Sequence, residues 1–194
     1  MNNRDITGII LSGGQSTRMG TDKAFIRLGN KTFIEHTSEL IREYCCEILI
    51  STNNRNKYLL PEHRTIADEI QGLGPIGGIY TCLKHSITKE NLVVAVDIPF
   101  INSGLIQYLL SYTAEAELVI PCIRGGSVEP LCAVYSKSVV KYLEAMIAEK
   151  DLKVQNLMHR CSTKVIQISE ELDFYNDRLF FNVNNPDDLN VLNL

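Results

Sequence analysis

No two of the cysteines Cys45, Cys46, Cys82, Cys122, Cys132 and Cys161 stand in a CxxC spacing. That absence removes the zinc ribbon and the thioredoxin-type dithiol, and leaves small buried hydrophobes in a reducing compartment. No run approaches the ~20 apolar residues of a membrane-spanning helix. The opening Met-Asn-Asn-Arg-Asp leads only to Ile9-Ile10-Leu11 before Ser12 and two glycines, too brief for a signal-peptide core. A cytoplasmic protein with no membrane partner is the expectation. Positive charge is not in excess either: 19 basic residues face 23 acidic ones, a net charge of −4. Such a surface has no general attraction for nucleic acid or anionic lipid, so a phosphate-bearing ligand must be gripped by local features. Repeats, linkers and low-complexity segments are missing. With 45% hydrophobic and 22% charged residues the disordered, collagen and coiled-coil classes are excluded. One domain over residues 1–194 is expected, large enough to fold without metals or disulfides.

What the chain does have is an alternation of apolar runs and helical patterns. Ile6–Leu11 reads as a buried strand ending at Ser12-Gly13-Gly14. Thr32-Phe33-Ile34-Glu35 is a capping box, and Phe33, Thr37, Leu40, Ile41 and Tyr44 then share one helical face. Strands follow at Glu47–Ser51 and Thr65–Ala67, the latter running out at Asp68, and Pro75 suits the first turn of a helix carrying Ile76, Ile79, Tyr80 and Leu83. Leu92–Val96, apolar throughout, reads as a central strand of a parallel sheet and stops at Asp97. A helix through Leu105–Leu110, a strand at Glu117–Pro121, a strand at Leu131–Tyr135, a helix at Val139–Ile147 and a strand at Val165–Ile168 come next. Phe180–Val183 leads to Asn185-Pro186-Asp187-Asp188, a helix start with Asn as cap. The pattern is that of an open α/β sheet with helices on both faces.

The loop Leu11-Ser12-Gly13-Gly14-Gln15-Ser16-Thr17-Arg18-Met19-Gly20-Thr21-Asp22-Lys23 carries the strongest chemical signal. Open α/β sheets bind ligands at the carboxyl ends of their strands. Adjacent glycines let backbone N–H groups close on an anion. Gln15, Ser16 and Thr17 add neutral donors, Arg18 a planar fork and Lys23 a point charge. Neither the Walker pattern nor GxGxxG is present, so this is a phosphate loop of another kind. Asp97, expected at the same rim, would repel phosphates unless a cation intervened, and a magnesium ion (Mg²⁺) is the natural choice. Asn182 and Asn184 would face one side if they lie on a strand, completing the metal shell or holding an acceptor. Asp68 reads equally as a ribose or base contact and as a turn residue. His36, His63, His85 and His159 lack metal-ligand spacing and read as solvated or packing residues.

These motifs together resemble the molybdenum cofactor guanylyltransferases, the MobA family within the nucleotidyltransferase superfamily. The loop through Arg18-Met19-Gly20 and Asp22-Lys23 is similar to the family's signature, with Gly14 closer to the guanylyl than to the cytidylyl branch. Asp68 with Gly74-Pro75-Ile76-Gly77-Gly78, Val96-Asp97-Ile98-Pro99, and Asn182-Val183-Asn184-Asn185-Pro186 resemble further family motifs in the same order. Thr52 stands where guanylyl enzymes often carry a nucleotide-contacting Asn, a contact left to Asn53 or Asn54, and Glu129-Pro130 replaces a His-Pro or Gln-Pro.

The resemblance implies a three-layer, Rossmann-like nucleotidyltransferase fold with a mostly parallel sheet, an N-terminal half for the NTP and a C-terminal half for the acceptor. It implies GTP held by Leu11, Ser12, Gly13, Gly14, Lys23, Asp68 and Asp97, catalysis by Arg18, Lys23 and Asp97, and Mg²⁺ on Asp97. Asn182 and Asn184 would serve a molybdopterin acceptor, with transient contacts to cofactor-biosynthesis or molybdoenzyme-maturation proteins. CTP or another NTP, a sugar phosphate acceptor, or a GTP-binding module without chemistry are the alternatives.

Overall fold

Ile6–Leu11, buried along its whole length, forms β1. A strand apolar on both faces must be covered on both, and that requirement sets the architecture. The computed structural model describes residues 5–13, 22–52, 62–123, 125–185 and 187–189. Arg27–Leu28 (β2) and Lys31–Thr32 (β3) form a small antiparallel hairpin turned by Gly29 at φ 63°. Helix α1 (Phe33–Arg42) starts at the predicted capping box: Thr32 Oγ1 accepts from Glu35 N, and Glu35 Oε2 accepts from Thr32 N at 2.7 Å. The same Thr32 backbone N–H and hydroxyl hold the Glu35 carboxyl below the usual carboxylate range. Then come β4 (Glu47–Ser51), β5 (Arg64–Ile66), α2 (Pro75–His85), β6 (Glu90–Ala95) and α3 (Ser103–Leu110). The remaining elements are β7 (Leu118–Ile123), β8 (Ser127–Val128), β9 (Cys132–Ser136), α4 (Val140–Ala148) and β10 (Thr163–Gln167).

One sheet runs β10-β7-β9-β6-β1-β4-β5, with β8 paired to β7. Alternate residues of its strands enter two cores. Ile10, Ile50 and Val94 pack with Phe33, Ile41, Leu105 and Leu109 on the α1/α3 face. Ile9, Leu49 and Val93 pack with Ile76, Ile79, Leu83, Leu143 and Met146 on the α2/α4 face. This is the three-layer α/β fold expected. The sheet is mixed and mostly parallel: β1 pairs parallel to β4 and β6, and β7 to β10, while β9 runs antiparallel between β6 and β7.

Several expectations are corrected. The apolar run Leu92–Val96 suggests parallel neighbours, yet β6 is bounded on one side by antiparallel β9. The strand expected to end at Pro121 continues to Ile123, because β9 pairs β7 only through Val119 and β8 takes over at Cys122. Pro121 sits in that gap, where its missing N–H breaks no ladder bond. Residues 180–184 are not a strand, so the argument that alternation puts Asn182 and Asn184 on one face fails. Asn185 does act as a cap, accepting from Asp188 N at 3.1 Å, with a short 3-10 turn at 187–189. Cys82, Cys122 and Cys132 are buried as expected, while Cys46 is exposed, and all six cysteines are free. No described helix is long and apolar enough to cross a membrane.

Replacing Thr32 by Ala removes the hydroxyl half of the capping box. The expected loss is about 1 kcal/mol of unfolding free energy, read as a lower urea midpoint at unchanged m.

Candidate active site

Leu11 and Ala95 lie opposite one another at the carboxyl ends of β1 and β6, and Val96 N extends the ladder by donating to Leu11 O at 3.1 Å. Both chains leave the sheet here, so Ser12 and Gly13 emerge beside Asp97. Ser12 N is tied to Ser51 O at 3.0 Å. Lys23 arrives on a short 3-10 turn, Lys23–Phe25, whose cap is the Asp22 side chain accepting from Ala24 N at 3.2 Å. Its Nζ donates to Asp97 Oδ2 and to Asn184 Oδ1, each at 2.9 Å. The two charged side chains are only 17% and 21% exposed, which strengthens their attraction beyond that of a surface pair.

Residues 182–184 reach Asp97 because the closing segment docks on the loop after β6. Val183 is buried and its N donates to Asp97 O at 2.9 Å, while Phe181 meets Phe100 with ring centroids 6.3 Å apart and the Arg178 guanidinium lies 4.7 Å from the Phe100 ring. Asp188 Oδ2 accepts from Asn184 N and Asn185 N at 2.7 and 2.9 Å, and these N–H groups hold its carboxyl below the usual range.

A cleft of about 240 Å³ opens at this rim between Leu11, Ser12, Gly13, Lys23, Asp97 and the start of α2 at Gly74-Pro75. Gly74 takes φ 69°, ψ −152°, a conformation closed to side-chain-bearing residues, and so brings bare backbone to the cleft. Gly78, one turn into α2, leaves room for Ser51, whose Oγ a Cβ there would approach to 2.4 Å. That Ser51 hydroxyl donates to Asp68 Oδ1 at 3.0 Å. Burial pushes the Asp68 carboxyl up, against the pull of this bond.

The structure thus brings together Leu11, Ser12, Gly13, Lys23, Asp97 and Asn184. Asp68 stands on the same rim beyond β4 and does not line the cleft. Gly14, Arg18, Asn53 and Asn54 lie outside the described residues, and Thr52 is buried with its N bonded to Ile66 O. A metal can be tested against atoms. Asp97 Oδ1 and Asn182 Oδ1 are buried and have no hydrogen-bond partner among the described residues, a penalty of about 1–3 kcal/mol each unless something occupies them. Hard oxygens of this kind suit a cation that completes its shell with phosphate oxygens and water; Asp97 lines the cleft, and Asn182 directly precedes the Val183 that bonds to Asp97 O. No group of three or more His, Cys, Asp or Glu side chains among the described residues could hold a metal without such help.

In the sequence Glu129 stands out only as a replacement. It is half-buried, its Oε1 accepts from Leu131 N at 3.1 Å, and Leu131 lines the cleft. Burial, with the Asp97 charge adding to it, pushes the Glu129 carboxyl up. Nothing in its sequence neighbourhood announces this, because the connection from β8 to β9, both paired to β7, is what carries it to the rim.

A mostly parallel sheet thus carries at its carboxyl rim one cleft lined by exposed backbone, an ammonium and a carboxylate, the place where open α/β sheets bind their ligands. The chain belongs to the MobA-like NTP transferase family: the family model described as "MobA-like NTP transferase domain" matches residues 8–165. It is 33% identical over 189 residues, 97% of each chain, to a probable molybdenum cofactor guanylyltransferase of Flavobacterium johnsoniae. A relative of the same description from Pelotomaculum thermopropionicum is 34% identical over 188 residues, covering 94% of this chain and 89% of its own. Among solved structures, molybdopterin-guanine dinucleotide biosynthesis protein A from Archaeoglobus fulgidus superposes with TM-score 0.79 at 26% identity over 96% of both chains. The 2-C-methyl-D-erythritol 4-phosphate cytidylyltransferase of Thermus thermophilus, at 16% identity and TM-score 0.70 over 95% of both chains, shares the fold.

Glu129 binds its proton more tightly folded than unfolded. Stability therefore falls as pH rises from the ordinary carboxylate range through the raised value, and the loss persists above it. Glu129→Gln keeps the oxygen that accepts from Leu131, so it is expected to remove this fall. At neutral pH the variant should be at least as stable as the parent, read by urea midpoints between about pH 4 and pH 8.

Proposed function

We propose that the protein transfers GMP from GTP to the terminal phosphate of a molybdopterin cofactor and releases pyrophosphate. The observation that carries this reading is the contact of Lys23 with Asp97 at the rim where Ser12 and Gly13 leave β1. The names borne by the relatives supply the nucleotide and the acceptor. A phosphate acceptor is already ionised and needs no general base. In keeping with this, His36 is bonded to Leu28 O, His63 to Ser38 and His85 paired with Glu69, all away from the cleft lining.

Catalysis under this reading is positioning and charge stabilisation. The exposed backbone at Gly13 would face the triphosphate, the Ser12 N–H being held by Ser51 O, and Lys23 offsets charge on the leaving pyrophosphate, joined from the sequence by Arg18. Asp97 Oδ1 and Asn182 Oδ1 would hold Mg²⁺, which when bound supplies Lewis-acid stabilisation of the transferring phosphoryl group. Leu11, Ala95 and Val96 give the cleft an apolar wall, and the partial burial of Lys23 and Asp97 strengthens their interaction relative to a surface pair. A CTP-using enzyme is the second reading, favoured by the fold shared with a cytidylyltransferase.

Pyrophosphate release with a molybdopterin acceptor, compared across GTP, CTP, UTP and ATP, should be fastest with GTP; a CTP preference would install the second reading. Lys23→Ala and Asp97→Asn should each lower kcat roughly a hundredfold or more while circular dichroism stays unchanged. Turnover at the parent rate in both would remove the assignment.

A further inference from the structure

Spacing makes Asn182 and Asn184 look like a matched pair, but the fold gives them different surroundings. Asn182 Oδ1 is buried and unpartnered among the described residues, as is Asp97 Oδ1. Asn184 Oδ1, by contrast, is occupied: it accepts from Lys23 Nζ at 2.9 Å, and the same nitrogen donates to Asp97 Oδ2 at 2.9 Å. One ammonium therefore bridges the carboxylate and the amide, from segments 74 and 161 residues along the chain. The aim of Asn184 is itself fixed. Asp188 Oδ2 accepts from the N–H groups of Asn184 and Asn185, and Asp188 N donates back to Asn185 Oδ1. The Lys23 side chain is left 17% exposed, its ammonium, a strongly hydrated point charge, spending two of its three donors on this cradle.

We propose that Asn184 is a positioning residue that parks the Lys23 ammonium on Asp97 Oδ2, so that in the nucleotide-free protein a cation binding at Oδ1 meets a fixed positive charge on the same carboxylate. The proposal rests on the nucleotidyl-transfer reading above. A divalent ion alone must then displace or face a fixed positive charge, and it gains Asp97 only at the expense of an ion pair in a poorly solvated cleft. A triphosphate changes the balance, because its oxygens offer Lys23 a replacement partner at the moment Asp97 is released. Metal and nucleotide become coupled through one side chain: each favours the position of Lys23 that admits the other. Asn184 sets the strength of that coupling, while Asn182, whose Oδ1 is free of the ammonium, stays available to the ion throughout.

Mn²⁺ serves as the probe, its binding to the nucleotide-free full chain followed by electron paramagnetic resonance. Lys23→Gln is expected to bind Mn²⁺ about tenfold more tightly than the parent, since the competing charge is gone. Asn184→Ala keeps that charge but removes its anchor, and should tighten Mn²⁺ by a smaller factor, about threefold. Adding GTP should reverse the order, the parent then holding Mn²⁺ more tightly than Lys23→Gln. Parent-like Mn²⁺ affinity in either variant without nucleotide would overturn the parked lysine. That result alongside GTP-dependent pyrophosphate release would leave the transfer reading standing. The Mn²⁺ shifts without pyrophosphate release from any nucleotide would support the parked lysine and remove the transfer reading instead.

Discussion

The parallel register of β1 against β6 is the constraint on which the site depends. Leu11 opposite Ala95, continued by the bond from Val96 N to Leu11 O, makes two segments more than eighty residues apart leave the sheet side by side. Each of the flanking strands is apolar on both faces, and burying one such Ile, Leu or Val contributes about 1.5–3 kcal/mol. A slip of one residue would send Ile9 and Ile10 to each other's cores and carry Ser12 away from Ser51. Register is thus held by the whole hydrophobic interior, and the polar rim inherits its geometry from it.

At that rim the chain keeps an unequal set of charges. Lys23 stands against Asp97, with Glu129 close enough for the Asp97 charge to act on it. A protein of net charge −4 has no overall field that draws anions, and positive charge at the cleft is a local feature. Exposed backbone at Gly13 and Gly74 offers dipoles without side chains, while Lys23 offers the one full positive charge among the described residues lining the cleft. The two oxygens of Asp97 are in different situations: Oδ2 is paired, and Oδ1 is buried and unpaired among the described residues.

Much of the fold could be read from the chain because its local signals agree. The capping box at Thr32, proline at the start of α2 and the apolar runs of β1, β4 and β6 each lie where pattern and packing ask for the same thing. The misreadings cluster where a partner outside the local window decides. The antiparallel β9 is apolar like its neighbours, so direction could not be seen in it. Pro121 looks like a strand end because the switch of its neighbour from β9 to β8 is a tertiary event. Residues 180–184 alternate like a strand, but they are held by the contacts of Val183 and Phe181 with the loop after β6 and join no sheet.

The amino-acid sequence by itself determined the α/β class, the glycine loop after the first strand, the candidacy of Lys23 and Asp97, and the family resemblance. Each comes from residue type and short-range order, which need no third dimension. Only the tertiary structure decided that Lys23 spans Asp97 and Asn184, that Asn182 and Asn184 have unlike surroundings, that Asp68 stands aside, and that Glu129 reaches the rim. The reason is physical: hydrogen bonds and ion pairs act over a few ångströms, and which groups come that close is set by the packing of elements far apart along the chain.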